Sequence, residues 1–142
     1  MRLIDANLLL YAYVREYPQF PAARAWFTDL LNKPDPVGLA WSSTLAFVRL
    51  ASNPRVFKQP VTVEKAWAQI EEWLSLPVVW IPVPGDRHRS ILGGLLSAGG
   101  LSANHVPDAH LAALAIEHGL TLFTADAGFA RYQGLKWENP LP

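Results

Sequence analysis

Residues 1–14 read MRLIDANLLLYAYV, and this stretch decides the fold. Leu3 and Ile4 suit a buried strand. Asp5 then interrupts the apolar run with a charge, and Leu8, Leu9, Leu10, Tyr11 and Tyr13 resume it as a helix. The pattern predicts a strand over Arg2–Ile4 and a helix over Asn7–Val14 with an acid at their junction. In open α/β sheets, ligands sit outside the carboxyl ends of the strands. An acid in this position directs attention to any others that reach the same edge.

The rest of the chain keeps alternating. Ala23, Trp26, Phe27, Leu30 and Leu31 follow helical spacing and predict a helix over Ala22–Leu31, closed by Lys33-Pro34-Asp35-Pro36. Val37–Ala40 reads as a short buried strand. Ser42 or Ser43 is expected to cap a third helix carrying Leu45, Phe47, Val48 and Leu50, stopped by Asn53-Pro54. Thr62 is the expected cap of a helix over Val63–Leu76. A β-branched strand over Val78–Val83 and a helix over Asp86–Ala98 follow. Pro107 and Gly119 bracket a helix over Asp108–His118. Leu120–Thr124 reads as a strand, Asp126 opens a short helix through Arg131, and Leu135–Trp137 is expected at a sheet edge. This alternation predicts a mainly parallel sheet covered by helices, in one domain over residues 1–142.

Composition narrows the functions. The 142 residues are 51% hydrophobic and 17% charged, which suits a compact core. There is no cysteine, so disulfides and thiolate zinc sites are excluded. The formal net charge is zero, which argues against a strongly basic nucleic-acid binder while leaving room for local basic patches. Asp5 breaks the first apolar run, so a signal peptide is not expected. No apolar run is long enough for a membrane span, and the expected location is the cytoplasm.

Three acids converge on one edge. Asp5 follows the first strand, and Asp126 follows the Leu120–Thr124 strand. Asp108 lies in the first turn of the helix that leads into that strand, so it starts at the same edge. Taken singly, each acid has a plain reading as a helix cap, a dipole partner or a turn residue. Together they favour a site. Clustered carboxylates imply a hard cation, Mg²⁺ or Mn²⁺. Such an ion activates water toward a phosphodiester and neutralises developing charge.

At these residues the sequence resembles the PIN domain, and within it the VapC-type toxin ribonucleases of toxin–antitoxin pairs. The matching stretches are RLIDANLLLYAYV, FVRLASNPRVF, VPDAHLAALAIEHGLTLFTADAGFARYQGL and WENP. They run in order along nearly the whole chain. The resemblance implies a three-layer α/β/α sandwich and a Mg²⁺- or Mn²⁺-dependent endoribonuclease. It further implies a cognate antitoxin, an RNA substrate and a homodimer. Asp5, Asp108 and Asp126 match the family's catalytic and metal-binding acids. Thr124 matches a supporting hydroxyl, and Asn7 the polar residue two after the first acid.

Two positions depart from the family. Ala46 stands where a Glu is usual, and Gly128 where an acid or amide is common. These departures raise an alternative, a PIN domain that binds RNA or an antitoxin without cutting. Ser42 or Ser43 is the candidate hydroxyl to fill part of the gap, and Glu117, at the far end of its helix, is a poor substitute. Arg49, Arg55 and Lys58 are candidate contacts for RNA phosphate. The four histidines show no metal spacing, and His105 is expected to serve the start of its helix. Trp26, Trp67 and Trp73 fall on helical spacings and are expected in the core or an interface. A haloacid-dehalogenase-like phosphatase needs a second Asp where this chain has Asn7, which disfavours that reading.

Overall fold

The computed structural model describes residues 1–142. Five strands, β1 (Arg2–Ile4), β2 (Val37–Gly38), β3 (Val79–Trp80), β4 (Thr121–Phe123) and β5 (Lys136–Glu138), form one sheet in the order β3-β2-β1-β4-β5. Every neighbouring pair is parallel. The sheet is thus wholly parallel, and helices on both its faces complete the expected three-layer α/β/α sandwich.

Side-chain alternation along the strands assigns the two faces. Ile4 and Phe123 point into a core built with α1 (Ala6–Tyr13), α2 (Phe20–Leu31), α3 (Trp41–Ala51) and α4 (Val63–Leu74). Leu3 and Leu122 point the other way, into a core with α6 (Val106–His118). Leu92 and Leu95 of α5 (His88–Ser97) pack against that second core. Right-handed crossovers explain the division, because strand order moves one way from β1 to β3 and back across to β4 and β5. α6 packs closely because Ala109, Ala112 and Ala115 are all fully buried and keep its backbone near the sheet.

Local chemistry sets the boundaries. Thr62 caps α4 by accepting the Lys65 N–H at 3.1 Å, as its position predicts. Gly119 ends α6 in the left-handed region at φ 68°, where a side chain would be strained. The expected cap of α3 is corrected. That helix starts at Trp41 after Ala40, with no side-chain cap, and Ser42 and Ser43 already lie inside its first turn. β3 covers only Val79–Trp80 of the expected Val78–Val83 run, because Pro82 and Pro84 lack the N–H that a ladder needs. α2 starts two residues early at Phe20, with Pro21 tolerated in its first turn. The segment after Asp126 is a 3-10 turn over Ala127–Arg131.

Of the tryptophans read as core, Trp73 is 5% exposed and lies edge-on to Phe27 and Phe47. Trp26 is half-buried beside Phe123, and Trp67 stacks on Trp41 near the surface.

Candidate active site

β1 and β4 are adjacent at the centre of the sheet, and their outgoing connections diverge, β1 toward β2 and β4 toward β5. This is the topological switch point, where an open α/β sheet leaves a crevice at its carboxyl edge. Asp5 and Asp126 stand on its two sides. Asp108 reaches the same place because α6 runs back antiparallel to β4 and so begins at this edge.

Asp5 is the N-cap of α1. Its Oδ1 accepts the Ala6 N–H at 2.7 Å, and its Oδ2 accepts the Thr124 hydroxyl at 2.8 Å. The pairing of Leu3 with Leu122 and Ile4 with Phe123 brings Asp5 opposite Thr124, and the Asp5 N–H donates to the Phe123 carbonyl at 3.0 Å. Thr124 is fully buried, and its oxygen also accepts from Asn7 Nδ2 at 3.3 Å and from the Asp126 N–H at 3.0 Å. The Asn7 carbonyl oxygen accepts the Ala125 N–H at 3.4 Å. One hydroxyl therefore ties together the first acid, its polar neighbour and the backbone of the last acid.

The electrostatics are those of crowded like charges. The Asp5 carboxyl is raised to about 6, chiefly by burial and further by Asp108 and Asp126, against the downward pull of its hydrogen bonds to Thr124 and Ala6. Asp108 is also raised, first by burial and then by Asp126, against the opposing pull of His105 and Arg131. The three acids thus lie within electrostatic reach of one another. No three His, Asp or Glu side chains are drawn tightly enough to enclose a cation unaided. The acids offer only oxygen donors at this edge, and their mutual repulsion is relieved by a positive ion. Their chemistry fits a hard divalent cation that keeps water ligands.

Gly128 has a steric role that its sequence position does not reveal. Its N–H donates to Asp126 Oδ1 at 2.8 Å, and a Cβ built on it would lie 2.9 Å from that same oxygen. The glycine lets Asp126 fold over the start of the 3-10 turn.

Other sequence candidates are distributed differently. Ser43 is 2% exposed, in the first turn of α3, and its hydroxyl has no hydrogen-bond partner. Arg49 lies in the last turn of α3, with Arg55 and Lys58 in the loop beyond. All three are exposed. α3 begins at the carboxyl edge of the sheet and runs away from it, so these cations sit at and beyond its far end. Lys58 instead borders a groove with Arg15 and Lys65. Glu117, at the far end of α6, is no stand-in for an acid at position 46. Its carboxylate accepts the Gly85 N–H at 2.8 Å and the Arg87 N–H at 3.0 Å, fastening the loop before α5.

Two residues that sequence reasoning undervalued act at the site. Arg131 and His105 both lower Asp108. The expected role of His105 at the start of α6 is corrected: it is the N-cap residue there without a side-chain bond, and its Nδ1 instead accepts the Ser102 N–H at 2.9 Å, closing a short 3-10 turn over Ala103–His105 that precedes α6. Nothing in local spacing singles out Arg131, which reaches the acids only because the 3-10 turn folds it back.

Fold and acids together define an open α/β protein with an acidic crevice at its switch point. The PIN domain pattern matches residues 2–135, and full-length relatives carry VapC ribonuclease names; the chain belongs to the PIN domain family, among its VapC ribonucleases. It is 40% identical to ribonuclease VapC37 of Mycobacterium tuberculosis over 140 residues, covering 99% of this chain and 97% of that one. It is 38% identical to ribonuclease VapC33 of the same organism over 141 residues, covering 99% of both. In fold it resembles VapBC2 from Rickettsia felis, solved bound to a promoter DNA fragment, with TM-score 0.69 and 20% identity over 97% of each chain. It also resembles the sarcin–ricin-loop-cleaving toxin VapC20 of Mycobacterium tuberculosis, with TM-score 0.65 and 17% identity over 92% of this chain and 93% of that one.

Proposed function

We propose that this protein is a metal-dependent endoribonuclease and the toxin of a toxin–antitoxin pair. The observation that carries the reading is Asp5, a half-buried acid at the switch point whose carboxyl is raised to about 6 by desolvation and by two neighbouring acids. An acid so placed is costly to ionise unless a cation joins it. Asp5, Asp108 and Asp126 are the residues to hold Mg²⁺ or Mn²⁺. When bound, the ion supplies Lewis acidity and lowers the pKa of a coordinated water.

The chain's own groups do the positioning. Thr124 fixes the Asp5 carboxylate, Asn7 fixes Thr124, and the Ala6 N–H at the start of α1 steadies the second Asp5 oxygen. Arg131 adds positive charge beside Asp108, where a phosphodiester would bring negative charge. Attack by water leaves a 3′-hydroxyl on one fragment and a 5′-phosphate on the other.

Several relatives of similar fold were solved as VapBC complexes, which supports a cognate antitoxin for this chain. A homodimer and a cytoplasmic location belong to the same reading. No helix is long and apolar enough to cross a membrane. The non-cleaving alternative is not favoured, because relatives matching the full chain are named ribonucleases and Gly128 serves the placement of Asp126.

The test is cleavage of total RNA by the antitoxin-free protein in Mg²⁺ or Mn²⁺, with EDTA and Asp5→Asn as controls. Discrete cuts with 5′-phosphate ends, lost in both controls, are expected. Metal-independent cutting, or cutting undiminished in Asp5→Asn, overturns the reading.

A further inference from the structure

Beside the acids, on the α5–α6 side of the sheet, lies a cavity of about 650 Å³. Ile91 and Leu95 of α5, with Leu101 from the following loop, give it apolar walls. His105 and Arg131 line it as well. One point, where a Cβ on Gly128 would stand, lies 2.9 Å from Asp126 Oδ1 and 3.4 Å from Arg131 Nη2, so the cavity borders the catalytic edge.

Two donors at that side are free, the Arg131 guanidinium and the His105 Nε2. Arg131 forms no salt bridge, and its guanidinium makes no hydrogen bond within the chain. Its Nη2 lies over the 3-10 turn, 3.4 Å from where a Cβ on Gly128 would stand. His105 accepts the Ser102 N–H on Nδ1, so the neutral ring carries its proton on Nε2. An anion here meets two donors, and a flat apolar group beyond it meets aliphatic walls. The volume falls within the roughly 300–1,000 Å³ of pockets that engulf small ligands.

We propose that this cavity is the subsite for an unpaired nucleotide adjoining the phosphodiester that is cut. The base rests against Ile91, Leu95 and Leu101, and Arg131 and His105 hold the phosphate. The proposal rests on the ribonuclease reading and deepens it. Unpaired nucleotides are the ones whose bases can splay into a protein pocket, so the subsite selects single-stranded segments. Arg131 and the cavity walls are specificity-determining groups, and their effect falls on substrate binding.

Gly94 on α5 lines the cavity, and a Cβ there would meet nothing within 4 Å. Gly94→Phe therefore places a ring at the cavity wall with no clash at its Cβ. The experiment titrates each of the four ribonucleoside 5′-monophosphates, and inorganic phosphate, into ¹⁵N-labelled protein. Saturable shifts at the Gly99 and Gly100 amides with at least one nucleotide are expected, together with their loss in Gly94→Phe. Arg131→Gln is expected to weaken the nucleotide at least tenfold, to the level of the matching nucleoside, and gives a reading even if Gly94→Phe misfolds. On a single-stranded RNA mapped from total-RNA cleavage, Gly94→Phe should raise KM at least tenfold with kcat little changed. Absence of saturable shifts, or equal binding by wild type and both variants, overturns the subsite. Nucleotide binding without any RNA cleavage by the wild type instead overturns the ribonuclease reading and leaves a nucleotide site.

Discussion

The Thr124 hydroxyl donates to Asp5 Oδ2 at 2.8 Å across 119 positions of sequence, and the same oxygen accepts the Asp126 N–H at 3.0 Å. This atom joins the carboxyl ends of the two central strands. Thr124→Val keeps the shape and removes the hydroxyl. The Asp126 N–H then loses its acceptor and Asp5 loses a donor, a loss of about 2 kcal/mol for a buried bond to a charged group. The Asp5 carboxyl should rise further, since this bond lowers it. Urea unfolding and ¹³C-detected titration of Asp5 check both effects. An unchanged Asp5 titration would remove Thr124 from the site.

Stability without metal should depend on pH through Asp5. Its carboxyl sits at about 6 in the folded protein against an ordinary 3.8, so the fold binds this proton more tightly than the unfolded chain does. Asp5 imposes no penalty below about pH 4. The penalty grows as pH rises through 6 and levels off above it. At 1.36 kcal/mol for each pK unit, the full effect is about 3 kcal/mol. The difference in unfolding free energy between wild type and Asp5→Asn, measured in EDTA from pH 4 to 8, should follow this curve. Millimolar Mg²⁺ or Mn²⁺ at pH 7.5 should recover much of the loss. A pH-independent difference between the two proteins would contradict the assignment.

At Gly128 a methyl group would lie 2.9 Å from Asp126 Oδ1, too close for either to stay in place. Gly128→Ala should therefore displace the Asp126 carboxylate, lowering cation affinity and RNA cleavage at least tenfold while costing only about 1 kcal/mol of stability. Ala46→Glu supplies the acid usual at that position and should tighten Mn²⁺ binding. Isothermal titration with Mn²⁺ compares the two. Gly128→Ala binding as tightly as wild type would show that Asp126 is not a ligand.

Glu117 anchors a loop far from the acids. Its side chain is 7% exposed, it accepts the Gly85 and Arg87 N–H groups, and a Cβ on Gly85 would meet its Oε2 at 2.7 Å. Those hydrogen bonds hold its carboxyl below the usual value. Its contribution to stability is therefore present above the ordinary carboxylate range and is lost as pH falls through the lowered value. Glu117→Gln should reduce Tm at neutral pH more than Glu64→Gln, whose carboxyl is exposed, and the gap should close in acid. Metal binding should be untouched in Glu117→Gln, which calorimetry checks.

The sequence by itself determined the order of strands and helices, the crossing into a parallel sheet, and the convergence of Asp5, Asp108 and Asp126. These follow from local rules: apolar periodicity, proline and glycine stops, and the antiparallel run of a helix that precedes a parallel strand. Tertiary structure decided the rest. The bare start of α3 was hidden because Ser42 and Ser43 look like caps, yet the helix begins at Trp41, with Ala40 in the cap position two residues before Ser42. Gly128 looked like a missing acid, and only the fold of Asp126 over its N–H shows that a side chain there would have to displace the Asp126 carboxylate. Glu117 and His88 lie 29 positions apart and meet at 3.9 Å through the packing of α5 on α6. Arg131 turns its guanidinium back over Gly128 through the 3-10 turn. Contacts of this kind depend on distances between elements that are far apart in sequence, and no local pattern encodes such distances.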